Sequence, residues 1–162
     1  MKAGTQGRAS TEVRASPSAL YGAVSDVRRM GEWSPECQRC EWIGGAVGPA
    51  IGAQFKGSNR RGVARWSTTP RVVVADPGRE FTFVTGHRGR DMTKWTYHFE
   101  TVVGGTNVTE SFEMLRDMPW YFRFADRFLM GVKDRRADLV SSMEATLQRL
   151  RTVIEELDKL PS

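Results

Sequence analysis

Thr93-Lys-Trp-Thr-Tyr-His-Phe-Glu100 and Asn107-Val-Thr-Glu-Ser-Phe-Glu-Met114 flank the turn signal Gly104-Gly105. In the first stretch Trp95, Tyr97 and Phe99 fall on one face and Lys94, Thr96, His98 and Glu100 on the other, the period of two of a half-buried strand. In the second, Val108, Phe112 and Met114 form the apolar face. Two such stretches joined by a glycine turn predict antiparallel strands with one wet side. Toward the N-terminus, Gly44-Gly45, Gly48-Pro49, Arg61-Gly62, Asp76-Pro77-Gly78 and Gly86 to Gly89 punctuate further β segments. The predicted strands lie near 37–43, 52–60, 63–75, 80–85, 92–103 and 106–115. Toward the C-terminus the period changes. Phe128, Val132, Leu139, Met143, Leu147, Leu150, Ile154 and Leu157 recur at helical steps, predicting one long amphipathic helix over 120–159. Ahead of the β region stand a strand near 10–15, a helix opened by Pro17 with Leu20, Tyr21 and Val24 on its apolar stripe, and a short helix around 27–33.

The resulting class is α+β: about seven antiparallel strands in one curved sheet, two short helices after the first strand, and a long C-terminal helix that must cover the apolar face. A sheet curled around one helix leaves space between them. At 162 residues the chain suits a single domain spanning 1–162 with an ordered core of about 10–158, long enough to bury a core without disulfides or metals. No apolar run approaches the roughly 20 residues of a membrane span. The start, MKAGTQGRASTEV, has no apolar segment or cleavage site, so the expected location is cytoplasmic with reduced thiols. A net charge of +5 raises a nucleic-acid partner, but Arg28-Arg29, Arg60-Arg61 and Arg135-Arg136 are dispersed among acidic residues. A solvated basic surface is expected instead, with a nucleic-acid or protein partner on basic loops as the weaker alternative.

The element order and local residues resemble the SRPBCC superfamily, the START-like helix-grip proteins, over about 11–157. The resemblance is carried by Val24-Ser-Asp-Val-Arg-Arg-Met-Gly-Glu-Trp-Ser-Pro35, Gly48-Pro-Ala-Ile-Gly-Ala-Gln-Phe55, Ala75-Asp-Pro-Gly-Arg-Glu-Phe81, Trp95-Thr-Tyr-His-Phe99 and Gly105-Thr-Asn-Val-Thr-Glu110. The polyketide cyclase/dehydrase branch is the most similar. This resemblance implies a cavity and leaves its contents open.

Both cysteines stand in Cys37-Gln-Arg-Cys40, the spacing of a metal knuckle or a redox pair. On a regular strand over 37–43, an offset of three places them on opposite faces, so Cys40 and Trp42 are expected to pack inward and no shared ion is expected. The chain has only His87 and His98 as further soft ligands, too few for a zinc site. His98 falls on a polar strand face and His87 in a glycine-rich loop, and neither reads as a general base. Ser34, Ser58, Ser67 and Ser111 have no histidine partner for a triad. No metal and no cofactor is expected, and no catalytic residue is assigned.

The predicted inner face supplies the candidate ligand-binding residues: Phe55, Asn59, Trp66, Phe83, Trp95, Tyr97, Phe99, Glu110 and Phe112 from strands, with Trp33, Phe124 and Phe128 from helices. Most are core aromatics by type. Glu110 and Asn59 are the polar exceptions, in step with Val108 and Phe112 and with Phe55 and Gly57. A carboxylate facing an apolar space must be paired, hydrated or protonated. For Glu110 a structural role (an ion pair with an arginine, or a bulge that turns it to solvent) and a ligand-facing role stay equally open. The expected function is binding of a small hydrophobic molecule (a lipid, polyketide or similar metabolite), with Glu110, Asn59 and Tyr97 orienting its polar end. The alternative is a polyketide cyclase/dehydrase-type (aromatase) enzyme. The assembly is expected to be a monomer or a homodimer.

Overall fold

In the computed structural model residues 1–159 are described. Eight strands form one antiparallel sheet: β1 (Gln6–Val13), β2 (Cys37–Ile43), β3 (Gln54–Arg61), β4 (Ala64–Thr68), β5 (Arg71–Asp76), β6 (Glu80–His87), β7 (Arg90–Val102) and β8 (Gly105–Met114). Seven run in the order β1-β8-β7-β6-β5-β3-β2, and β4 pairs with β3 alone. The sheet curls into a half-barrel, the α+β helix-grip architecture. The predicted strand 63–75 is two strands, because Pro70 has no amide to donate and ends the β3–β4 hairpin. Trp95 opposes Phe112, Tyr97 opposes Glu110 and Phe99 opposes Val108 across β7 and β8. β8 alternates buried and half-buried residues along its whole length, which confirms the predicted phase.

Helix α1 (Pro17–Ser25) starts where the Ser16 side chain accepts from the Ala19 amide at 3.1 Å and Pro17 supplies a preset φ at the first turn. A 3₁₀ turn, Val27–Glu32, follows, capped by Asp26. The expected single C-terminal helix is two: α2 (Trp120–Leu129) and α3 (Arg135–Leu157). Gly131 takes φ +66°, a left-handed conformation that ends α2. Asp134 then caps a new helix, accepting from the Ala137 amide at 3.1 Å.

Leu139, Met143, Leu147, Leu150 and Ile154 form the buried stripe of α3, which lies against β1 and β8. At the crossing, a Cβ on Gly7 would stand 2.6 Å from the Phe112 ring and 2.9 Å from Val140 Cγ2. Glycine there lets the helix approach the sheet. At the opposite edge Arg61 of β3 makes a two-pronged ion pair with Asp138 of α3, at 2.7 and 2.6 Å, and its guanidinium holds the Asp138 carboxyl below the usual range. The helix is thereby fastened to both margins of the curl, and the middle of the sheet is left to face a cavity.

Candidate functional site

The cavity between the sheet's concave face, α2 and α3 measures about 620 Å³. Its sheet side includes Phe55, Asn59, Trp66, Phe83, Trp95, Tyr97 and Glu110, and α3 contributes Leu139, Met143 and Thr146. Exposed residues among the lining (Arg65, Ser67, Gly86 and Leu129) mark its mouth between the β3–β4 hairpin, the β6–β7 hairpin and α2. All seven methionines of the chain, and both cysteines, line it. Thioether side chains are unbranched and polarisable, so this wall can adapt to the shape of an apolar guest. A second groove, of about 660 Å³, lies between β1, β8 and the start of α3. Its charged groups include both signs, with Lys94 paired to Glu113 at 2.5 Å, and no buried side-chain N or O among its described lining residues lacks a hydrogen-bond partner.

With Asp126 and Thr146, Glu110 is one of three buried polar residues among the described lining of the cavity. The inward phase of β8 drives it beneath the surface (5% exposed). The Tyr97 hydroxyl, directly opposite in the register, donates to Oε1 at 2.8 Å. No ion pair reaches Glu110 among the described residues, and Oε2 is buried without a hydrogen-bond partner. The structural arginine pair entertained for this carboxylate is therefore not formed. Of the two arginines that line the cavity, Arg135 is committed to Asp126 and Asp138, and Arg65 lies exposed at the mouth, so neither pairs with Glu110. Desolvation pushes the Glu110 carboxyl up to about 8, against the smaller opposing effect of the tyrosine. The carboxyl is thus mostly neutral at pH 7. With Oε1 accepting from Tyr97, its proton belongs on Oε2, where it is an unsatisfied donor. Tyr97 itself is pushed well above its ordinary value by burial and by the neighbouring carboxyl, so it stays a phenol.

The cysteines depart from the expected geometry. Pairing of β2 with β3 slips between Cys37 and Arg39, so Gln38 is an extra residue and Gln38 and Arg39 both face outward. This β-bulge rotates Cys37 onto the face of Cys40. Both are buried and free, with their sulfurs 3.3 Å apart, and Cys40 Sγ lies 3.8 Å from Met30 Sδ. The contact between the two sulfurs, in which either can donate, lowers the Cys37 pKa and, with burial, raises that of Cys40. No group of three or more His, Cys, Asp or Glu with metal-binding geometry occurs among the described residues.

Five of the twelve candidate residues lie away from the cavity wall. Trp33 is buried beneath the 3₁₀ turn, with the Arg29 guanidinium 5.3 Å from its ring. Phe99 packs edge-on to Tyr21 of α1 and is not part of the cavity lining. Phe112 packs against Trp95 at 5.7 Å behind the wall. Phe124 and Phe128 were expected to face inward with a single long helix. The break at Gly131 turns α2 independently, and they are 60% and 66% exposed. In their place Phe122, Ala125, Asp126 and Leu129 face the cavity. Asp126 is buried, 3.9 Å from Arg135, and desolvation raises its pKa in spite of that partner. His87, set aside as a loop residue, also lines the cavity and shares a 2.9 Å hydrogen bond with the Tyr121 hydroxyl. Its only sequence signal was the position at the end of an aromatic strand. His98 is on the exposed face, as predicted.

Comparison with known proteins supplies the lineage. Residues 5–155 match the family model described as polyketide cyclase/dehydrase and lipid transport. A polyketide-cyclase-like protein of Corynebacterium glutamicum, known from a solution NMR structure, is 31% identical. That match spans 98% of this chain and 96% of the other, with a TM-score of 0.64. Crystal structures of proteins from Chromobacterium violaceum (15% identical, 93% and 97% covered, TM-score 0.67) and Nitrosomonas europaea (7% identical, 96% and 97% covered, TM-score 0.68) share the fold. No protein of curated function matches the chain. A family model spanning nearly its whole length, a relative above 30% identity and the helix-grip sheet agree: the chain belongs to the polyketide cyclase/dehydrase and lipid-transport family.

Proposed function

We propose that the protein binds a small, mostly apolar molecule whose polar end carries a hydrogen-bond acceptor, such as a ketone or ester carbonyl. One observation carries this reading: Glu110 Oε2, buried in the wall of a mostly apolar cavity, has no hydrogen-bond partner among the described residues. A buried donor left unsatisfied costs about 1–3 kcal/mol, and a ligand acceptor removes that cost. The volume of about 620 Å³ suits a guest of metabolite size, and the methionine-rich wall supports a range of hydrocarbon shapes. Asn59, across the cavity on β3, is a second polar contact for a longer ligand.

An environment-sensitive naphthyl ketone dye tests the assignment. Wild-type protein is expected to bind it with an affinity that declines as pH rises through about 8, where Glu110 loses its donor proton. Glu110→Gln retains an N–H donor and should bind without that pH step. Glu110→Leu should bind about tenfold more weakly at neutral pH, the worth of one hydrogen bond. Unchanged affinity in Glu110→Leu, with a flat pH profile in the wild type, would exclude the role given to Glu110.

The same carboxyl supports a second reading. A neutral acid with a pKa of about 8, in a desolvated site and backed by a tyrosine, is matched to proton donation near neutral pH. Donation to a ketone oxygen favours enol formation, the first requirement of aldol closure and dehydration of a poly-β-ketone. Turnover of such a substrate that disappears in Glu110→Gln, while dye binding persists, would establish the enzyme in place of the carrier.

A further inference from the structure

Helix α2 has two apolar faces, and only one is used by the fold. Phe122, Ala125, Asp126 and Leu129 recur at helical steps on the side that lines the cavity. Trp120, Phe124 and Phe128, spaced four apart, form a stripe on the opposite side and are 78%, 60% and 66% exposed. The Phe124 and Phe128 rings stack on each other at 4.4 Å. Arg123 and Arg127, both exposed, flank the stripe. The acidic residue of α2, Asp126, is buried and turned toward Arg135. Arg116 just before α2 and Lys133 just after it are also exposed. Asp117 is held by Lys2 and by the Ala3 amide. The outward surface of this helix therefore combines aromatic rings with cations that form no salt bridge among the described residues.

We infer that α2 is a membrane-surface helix, which lies in the interface of an anionic bilayer with Trp120, Phe124 and Phe128 inserted and Arg123 and Arg127 on lipid phosphates. Several features favour lipid over a protein partner. The residue types are those of interfacial helices: a strongly amphipathic segment of low overall hydropathy, with Trp and Phe at its apolar crest and arginine beside it. Tryptophan prefers the headgroup level, where its ring is apolar and its N–H is wet. The arginines, unpaired among the described residues, complement the negative surface of an anionic leaflet. No helix among the described residues is long and apolar enough to cross a membrane, so α2 lies on the bilayer and does not span it. Its position adds a consequence. Leu129 is both 60% exposed and part of the cavity lining, so a bilayer seated on α2 meets the cavity mouth. A guest could then pass between membrane and cavity without crossing bulk water. The docking itself requires no ligand, so its failure would leave the reading of Glu110 untouched.

Flotation of the full chain with vesicles of phosphatidylcholine alone, or of phosphatidylcholine mixed with phosphatidylserine, tests the inference. The protein should float with the mixed vesicles, less so as salt is raised, and remain behind with phosphatidylcholine alone. Phe124→Ser combined with Phe128→Ser should reduce partitioning at least about tenfold, given the apolar area withdrawn. Arg123→Glu combined with Arg127→Glu should abolish the preference for phosphatidylserine. These side chains are exposed, so melting temperatures should match the wild type and the loss cannot be one of folding. The inference is overturned by a wild type that floats with neither vesicle, or by a double serine variant that floats as well as the wild type. It is equally overturned by a stripe that instead holds two copies together, seen as a dimer that dissociates in the serine variant without any vesicle binding.

Discussion

Glu110 couples the state of one proton to the stability of the fold. Its pKa rises from an ordinary 4.5 to about 8 on folding because burial disfavours the anion. Below pH about 4.5 the folded and unfolded chains both hold the proton, and ionisation costs nothing. Between there and about 8 the unfolded chain releases the proton and the folded chain retains it, so stability falls as pH rises, by at most ~1.4 kcal/mol per pH unit. Glu110→Gln removes this dependence. The variant should gain on the wild type between pH 5 and pH 8, reaching a few kcal/mol at the upper end, and the gain should vanish toward pH 4. Urea unfolding at the three pH values measures it. An equal difference at all three would mean that the carboxyl is not buried in its neutral form. The residue was legible in the sequence, as a glutamate in step with Val108 and Phe112. Its partner was not, because the choice between an arginine and Tyr97 depends on which strand lies opposite and where the arginines are already engaged.

At the scale of elements, the bulge in β2 decides the chemistry of the cysteine pair. In a regular strand an offset of three separates two side chains to opposite faces. One extra residue restores them to the same face, and the sulfurs meet at 3.3 Å. Mild oxidation with an azodicarboxamide is expected to close one intramolecular Cys37–Cys40 disulfide, with two thiol protons and two electrons passing to the azo bond. Mass spectrometry should show a loss of two hydrogens, no free thiol and no covalent dimer. Two thiols that remain titratable, or a disulfide-linked dimer, would return the pair to opposite faces. The division of the C-terminal segment into α2 and α3 is a comparable case. Gly131 and Asp134 were the available signals, a C-terminal glycine and an N-cap three residues later. The apolar period runs on through Phe128 and Val132 and masks the break. Val132 is buried and Phe128 is not, which happens only when the two helices have separate axes.

For the whole molecule, apolar residues divide into those that hold the sheet to the helices and those that surround the cavity. Leu147 is 1% exposed in the stripe of α3, and Leu147→Ala should cost about 2–5 kcal/mol. Trp66 is half-buried on β4, an edge strand paired only with β3, and it faces the cavity. Trp66→Ala should cost less than Leu147→Ala in spite of the larger side chain, because fewer packed atoms lose contacts. Denaturant midpoints of the two variants give the comparison, and a larger loss at Trp66 would show that the cavity collapses around that ring.

Much of the architecture follows from the sequence alone: the class, the antiparallel strands followed by a C-terminal helix, the inward phase of β7 and β8, and the step that Glu110 shares with Val108 and Phe112. Those properties rest on alternation and helical period, which are local and repeat over many residues, so one irregularity does not erase them. The tertiary structure alone decided that Cys37 and Cys40 meet, that His87 reaches the cavity, that Glu110 is served by Tyr97 and by no arginine, and that Phe124 and Phe128 face outward. Each of these turns on one inserted residue, one left-handed glycine or the curl of the whole sheet. Such features shift side chains by a face or across a cavity while leaving the local pattern of residue types unchanged.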